Sequence, residues 1–185
     1  MRVIAGCLGG RTLVAPTGVV TRPTTDRVRE ALFSVLADVE GEAVLDLYAG
    51  TGALGIEALS RGAAHATFVE SARPALQALR RNIHALALAD VTKVLPIPVE
   101  RALRTPPWSD GFDLIFIDPP YAMIQNGRFV DALARAVERG LTSSVRSGGR
   151  VILEHTSDEV APPVSGITLE ETRVYGDTSL SFYLR

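Results

Sequence analysis

Residues 43–70 constrain the fold more than any other stretch. Ala43-Val44-Leu45-Asp46-Leu47-Tyr48 is apolar on both faces apart from one acid, the pattern of a strand buried inside a parallel sheet. It runs into Ala49-Gly50-Thr51-Gly52-Ala53-Leu54-Gly55 and a helical stretch through Leu59. A second strand, Ala66-Thr67-Phe68-Val69, ends in Glu70. A strand, a glycine-rich turn, a helix and a second strand make a right-handed crossover unit, so the chain is built on a parallel sheet with helices on its faces.

The rest of the sequence extends this α/β pattern. Leu76, Leu79, Ile83 and Leu86 mark a helix, and Val91 to Ile97 a third strand. Phe112-Asp113-Leu114-Ile115-Phe116-Ile117 is a fourth strand, again apolar on both faces. A helix is expected from about Arg128 to Leu141, with Val130, Leu133, Val137 and Leu141 inward. Ser147-Gly148-Gly149 turns into a fifth strand, Arg150 to His155. Ile167–Tyr175 and Ser179–Leu184, joined by Gly176-Asp177, read as a closing antiparallel hairpin.

Ahead of the sheet, residues 1–20 alternate short apolar runs with glycines and read as a small N-terminal β-hairpin extension, leaving residues 21–185 as the main domain. Thr24 or Thr25 can cap the following helix, with Asp26 in its first turn. Val28, Ala31, Leu32, Val35 and Leu36 form its apolar stripe, and Arg27 and Arg29 fall off it. Arg2, Arg11 and Arg22 precede the first acid of the chain, Asp26, and Arg27 and Arg29 follow. That distribution makes a local basic face suited to a polyanion, although the net charge is −2.

Two groups of residues carry chemistry. Gly50, Gly52 and Gly55 lie between a strand and a helix, and Glu70 follows at the end of the next strand. Glycines there let a ligand approach the backbone and aim a helix N-terminus at it, while an acid at that spacing accepts hydrogen bonds from a ribose. The arrangement suits an adenosine, whether of NAD or of S-adenosylmethionine. Asp46, just upstream, would repel a pyrophosphate and attract a methionine ammonium, and Tyr48 can wall the same pocket.

The second group is Asp118-Pro119-Pro120-Tyr121, at the carboxyl end of the fourth strand, where open α/β sheets bind ligands. The prolines end the ladder and stiffen the loop. The Asp118 carboxylate and the Pro119 carbonyl can accept from the two hydrogens of an exocyclic base amine and favour its pyramidal, nucleophilic form. Tyr121 offers a ring for the base to stack on, worth about 1–3 kcal/mol. An amine inside a duplex cannot reach such a corner, so the base must be unpaired or flipped out.

Other features narrow the class. Cys7 is the only cysteine, which excludes an intrachain disulfide and a thiolate metal cluster and points to a reducing cytoplasm. No run approaches the roughly 20 apolar residues that span a bilayer, so no membrane is expected. His65, His84 and His155 are scattered, no metal-binding set is evident, and Trp108 reads as a packing anchor.

These residues together resemble a known family. Asp46-Leu47-Tyr48-Ala49-Gly50-Thr51-Gly52 with Asp118-Pro119-Pro120-Tyr121 is similar to the Rossmann-like class I methyltransferases that act on amines. Arg2-Val3-Ile4-Ala5-Gly6, Gly10-Arg11-Thr12-Leu13 and Arg22-Pro23-Thr24-Thr25-Asp26-Arg27-Val28-Arg29-Glu30-Ala31-Leu32-Phe33 resemble the bacterial RsmD family. The resemblance implies a mostly parallel seven-stranded sheet and an N-terminal hairpin that helps to hold RNA. It implies S-adenosylmethionine as cofactor and N2 of one guanine in 16S ribosomal RNA as methyl acceptor, in a partly assembled small subunit, with the enzyme a monomer. By position it assigns the amine to Asp118 through Tyr121 and the ribose to Glu70, and it brings Thr24 near the cofactor. The adenine amine falls to the Val99 backbone or to Glu100, in a region, Pro96-Ile97-Pro98-Val99-Glu100, that departs from the usual pattern. An adenine-N6 DNA methyltransferase and a non-catalytic ribosome assembly factor are the competing readings.

Overall fold

The computed structural model describes residues 1–16, 25–120 and 140–185. Seven strands form one sheet in the order β3-β2-β1-β4-β5-β7-β6. They are β1 Ala43–Leu47, β2 His65–Val69, β3 Thr92–Leu95, β4 Phe112–Ile117, β5 Val145–Thr156, β6 Thr168–Tyr175 and β7 Thr178–Leu184. The first five are parallel; β7 runs antiparallel to both β5 and β6. The expected Rossmann-like sheet and its closing hairpin are therefore present. The order reverses between β1 and β4, which are direct neighbours, and such a switch point opens a crevice at the carboxyl ends of the strands.

Four helices of six or more residues are described, α1 Asp26–Leu36, α2 Ala53–Ser60, α3 Arg73–Ala85 and α4 Val99–Arg104, beside short helical turns at Ala89–Val91 and Thr142–Ser144. Thr25 caps α1, its Oγ1 accepting from Val28 N at 3.3 Å. Most of the helix expected between Arg128 and Leu141 lies outside the described residues; Leu141 itself is buried. No helix is expected at α4, since Pro96 falls in the expected third strand and Pro98 follows just after it. Pro98 instead stands at the helix N-cap, where no backbone N–H is needed. β5 starts at Val145, earlier than expected, and Arg146–Gly149 are absorbed by a register shift against β4.

The core has two layers, one on each face of the sheet. Val44, Phe68, Leu114, Phe116 and Ile152 pack with α1, α2 and α3; Leu45, Leu47, Val69, Ile115 and Ile117 face the other way, with α4. Phe33 of α1 meets Phe116 with ring centroids 5.8 Å apart, and the Arg61 guanidinium lies 4.8 Å from the Phe33 ring centre. Burying side chains such as Leu32, Phe33 and Leu36 stabilises the helix on the sheet by about 1.5–3 kcal/mol each.

The buried stripe of α1 is rotated by one position from the expected one. It contains Val28, Arg29, Leu32, Phe33 and Leu36, so Arg29 points into the protein and not off the stripe. Its Nη2 donates to Arg2 O at 2.6 Å and to Asp26 Oδ1 at 2.8 Å. The expectation of Arg29 on an RNA-facing surface is therefore corrected: its side chain is enclosed. α3 shows the same shift, burying Ala75, Ala78, Leu79, Asn82 and Ile83, with Leu76 at the margin.

The N-terminal stretch pairs with itself. Arg2 bridges Thr12, Val3 N donates to Arg11 O, and Leu13 N donates to Met1 O. Val3 and Leu13 enter the same core layer as α1, α2 and α3. Ile4 N and Ala5 N both donate to the buried Glu57 carboxylate of α2, at 2.6 and 3.0 Å, and Leu8 N to Ser60 Oγ at 3.0 Å.

Candidate active site

The site is assembled at the carboxyl ends of β1, β2 and β4. β1 delivers Asp46 and then Tyr48, which adopts φ +58. An aromatic residue takes that conformation only where the surrounding structure enforces it, and such positions cluster at functional sites. The Tyr48 hydroxyl donates to Glu100 Oε1 at 3.0 Å. Burial, then the Glu100 charge, raises the phenol above its ordinary range. This bond brings Glu100 and the buried Val99, the two alternatives expected for the adenine, alongside the end of β1.

The glycine turn follows. Gly50 N donates to Glu70 Oε2 at 2.9 Å. Glu70 Oε1 accepts from Ser71 N and Ala72 N, both at 2.7 Å, and so ties the turn to the start of α3. A carboxylate has about four acceptor positions; three are taken by backbone, and one is left for a ribose hydroxyl. A Cβ on Gly50 would meet nothing nearer than Tyr48 O at 3.9 Å, so a ligand can come close to the backbone there. Gly52 has φ +82, and a Cβ on it would stand 2.5 Å from Leu79 Cδ1.

Gly55 has a different reason to be glycine. A Cβ would stand 2.4 Å from Phe68 Cε1, so its absence lets α2 lie directly on the sheet. Gly55 N then reaches Asp46 Oδ2 at 3.0 Å. Gly55→Ala should cost about 1–3 kcal/mol through overpacking, more than the roughly 0.5–1 kcal/mol a helical alanine gains over glycine. The expected result is a lower urea midpoint; an unchanged or higher one would mean that the ring yields freely.

Asp46 is only 1% exposed. Burial holds its carboxyl well above the usual carboxylate range; the Gly55 N–H works against this, and the charges of Asp118 and Glu70 add to it. Asp118 N donates to Leu47 O at 3.3 Å, which sets the amine motif directly beside the end of β1. Three acids from three adjacent strands thus surround one corner. A ligand carrying positive charge would relieve their repulsion, and a pyrophosphate would worsen it. The residues present therefore fit S-adenosylmethionine, with its ammonium and sulfonium, better than a dinucleotide.

Pro119 is buried and Pro120 exposed. Tyr121, Thr24 and Arg22 lie outside the described residues. Of the arginines expected to face RNA, Arg2 and Arg11 on the hairpin and Arg27 on α1 are exposed. Trp108 behaves as an anchor: its Nε1 donates to Ser144 Oγ at 3.0 Å and its ring meets Phe112 edge-on at 5.5 Å. His155 is buried between Thr156 O and Ser181 Oγ. Among the described residues no group of His, Cys, Asp and Glu could hold a metal ion, and no helix is long and apolar enough to cross a membrane.

Sequence reasoning missed Glu57 and Asn82. Both are polar residues on buried helix faces, and Asn82 stands in line with Leu79 and Leu86; a polar side chain at a core position was the available signal.

Known proteins match this chain closely. The family described as Conserved hypothetical protein 95 matches residues 1–184. "Putative rRNA methyltransferase YlbH" of Bacillus subtilis is 36% identical over 186 residues, spanning 99% of this chain and 98% of that protein. "Ribosomal RNA small subunit methyltransferase D" of Escherichia coli K12 is 42% identical over 122 residues, 65% of this chain and 60% of that protein. The solved structure titled "Putative methyltransferase yhhF from Escherichia coli" superposes with a TM-score of 0.79 at 32% identity, covering 100% of this chain and 97% of that one. The match along nearly the whole length, on a mostly parallel seven-stranded sheet, settles the family: the chain belongs to Conserved hypothetical protein 95, the RsmD family of methyltransferases.

Proposed function

We propose that this protein transfers a methyl group from S-adenosylmethionine to the exocyclic N2 amine of a guanine in 16S ribosomal RNA, in a small subunit still being assembled. The observation that carries the reading is the adjacency of the two motifs across the β1–β4 switch point, where Asp118 N donates to Leu47 O at 3.3 Å. The methyl-donor loop and the amine-gripping loop share one crevice.

The cofactor supplies an electrophilic methyl on a sulfonium. Gly50, Gly52 and Glu70 hold its adenosine, with Val99 or Glu100 at the adenine and Tyr48 as a wall. Asp46 faces its positive end, and Thr24 is assigned to the cofactor by the family resemblance alone. On the acceptor side, the Asp118 carboxylate and the Pro119 carbonyl take the two amine hydrogens, Pro120 stiffens the loop, and Tyr121 stacks on the base. Held this way, the nitrogen lone pair forms the new N–C bond as the C–S bond breaks with its electrons left on sulfur. One amine proton then leaves along its hydrogen bond to Asp118. Positioning and electrostatics supply most of the rate. The hairpin of residues 1–20, with Arg2 and Arg11, and then Arg22 and Arg27, offers cations to phosphates. Arg29 holds that surface from beneath and does not touch RNA. The protein acts as a cytoplasmic monomer without a metal.

The test is to incubate pure protein with immature small subunits and methyl-labelled S-adenosylmethionine and to map the modified nucleotide. One N2-methylguanine in 16S RNA is expected. Label in adenine N6 of DNA, or none in RNA, would overturn the reading.

A further inference from the structure

We infer that Asn82 couples the N-terminal hairpin to the cofactor loop, so that RNA held by the first strengthens cofactor held by the second. The inference rests on the function proposed above. Asn82 lies on α3, is 1% exposed, and is the shared partner of two segments far from each other in sequence. Its Oδ1 accepts from Val14 N at 2.7 Å, and its Nδ2 donates to Val14 O at 3.2 Å. This two-point contact fixes the amide orientation, because the flipped amide would set an NH2 against an N–H. The second Nδ2 hydrogen is thereby aimed at Thr51 O, 3.0 Å away, inside the glycine turn.

The contact does not stand alone. Thr51 Oγ1 lies 3.7 Å from Met1 Sδ, and Met1 O accepts from Leu13 N. One arm of the hairpin therefore meets Thr51 directly through Met1, and the other reaches it through Asn82. The preceding residue, Gly50, donates to Glu70, which also accepts from Ser71 N and Ala72 N just ahead of α3. The glycine turn is thus held at two points, by Glu70 before α3 and by Asn82 near the end of α3, and only the second is shared with the hairpin. A shift of Val14 on RNA binding cannot leave the Thr51 carbonyl in place without breaking a buried hydrogen bond, and an unmatched buried polar group is costly. Asn82 is a positioning residue here; it touches neither substrate nor cofactor.

Coupling is reciprocal, so it can be read from either ligand. The affinity of the protein for small subunits lacking the modification is measured by filter binding, with and without saturating S-adenosylhomocysteine. The affinity for S-adenosylhomocysteine alone is measured by calorimetry. In the unaltered protein, the homocysteine compound should tighten subunit binding by about tenfold, within the usual range of coupling factors. Asn82→Asp keeps the acceptor for Val14 N but loses both Nδ2 donor bonds, to Val14 O and to Thr51 O, and should bring the factor close to one. Val14→Pro removes the N–H that reaches Asn82 Oδ1, while also fixing the backbone there, and should reduce the factor as well, should Asn82→Asp fold poorly.

A merely structural role would lower the melting temperature and both affinities while keeping the ratio, and that result would overturn the inference. A ratio of one in the unaltered protein, with both ligands bound, would overturn the coupling and leave the functional reading intact. Failure to bind subunits at all would overturn both.

Discussion

Asp118→Ala should lower methyl transfer by roughly a thousandfold while changing S-adenosylmethionine affinity by no more than about threefold. The asymmetry follows from where the residue stands. On the function proposed above, the adenosine side of the site is the glycine turn with Glu70, whose carboxylate accepts from Gly50, Ser71 and Ala72 N. Asp118 directly follows β4, and its N–H donates to Leu47 O of β1, a backbone bond that alanine keeps. What alanine loses is the acceptor for the amine in the transition state. Asp118→Asn should be impaired by at least about a hundredfold, since it offers an NH2 donor to a group that is itself a donor. Single-turnover rates with labelled cofactor, beside calorimetric cofactor binding, separate the two effects. Full activity in either variant would remove Asp118 from the chemistry; parallel loss of rate and cofactor binding would make it part of the cofactor site instead.

The second large effect concerns stability. Glu57→Ala should cost about 3 kcal/mol, because the carboxylate is fully buried and three donors depend on it: Ile4 N, Ala5 N and Arg61 Nε. For a chain of this size that corresponds to a melting temperature roughly 6–12 °C lower. Arg61 is partly exposed and can turn to water, but the two amides are held by the hairpin and cannot. Hydrogen exchange should therefore quicken first at Ile4 and Ala5. Glu57→Gln, which keeps one acceptor oxygen, should lose less. A shift under about 2 °C for the alanine variant would show that the hairpin is held by its apolar contacts at Val3 and Leu13 alone.

Much of this site could be read from the sequence because its key residues sit at the ends of strands. A run apolar on both faces locates a central parallel strand without any phase to choose, so Asp46, Glu70 and Asp118 were placed correctly relative to β1, β2 and β4. Helix phase was harder. In α1 the alternatives differ by one residue, and Ala31 scores as apolar while Arg29 does not. The tertiary structure chose Arg29 because Arg2 O and Asp26 supply acceptors that no periodicity can reveal. Asn82 took a core position in α3 for the same reason, its partners lying 68 and 31 residues away. α4 was hidden by two prolines that usually mark loops and here precede a first turn.

The position of β7 bears on how the chain can fold while it is being made. β7 pairs with β5 on one side and β6 on the other, yet it is the last strand in sequence. Until Thr178–Leu184 has been translated, the Val151-Ile152-Leu153 segment of β5 presents a bare apolar edge, and β6 has no place in the sheet. Such an edge invites pairing with other chains, and closing it requires contacts across the order of synthesis, which form slowly. When β7 forms, it covers the β5 edge and gives β6 its place in the same step.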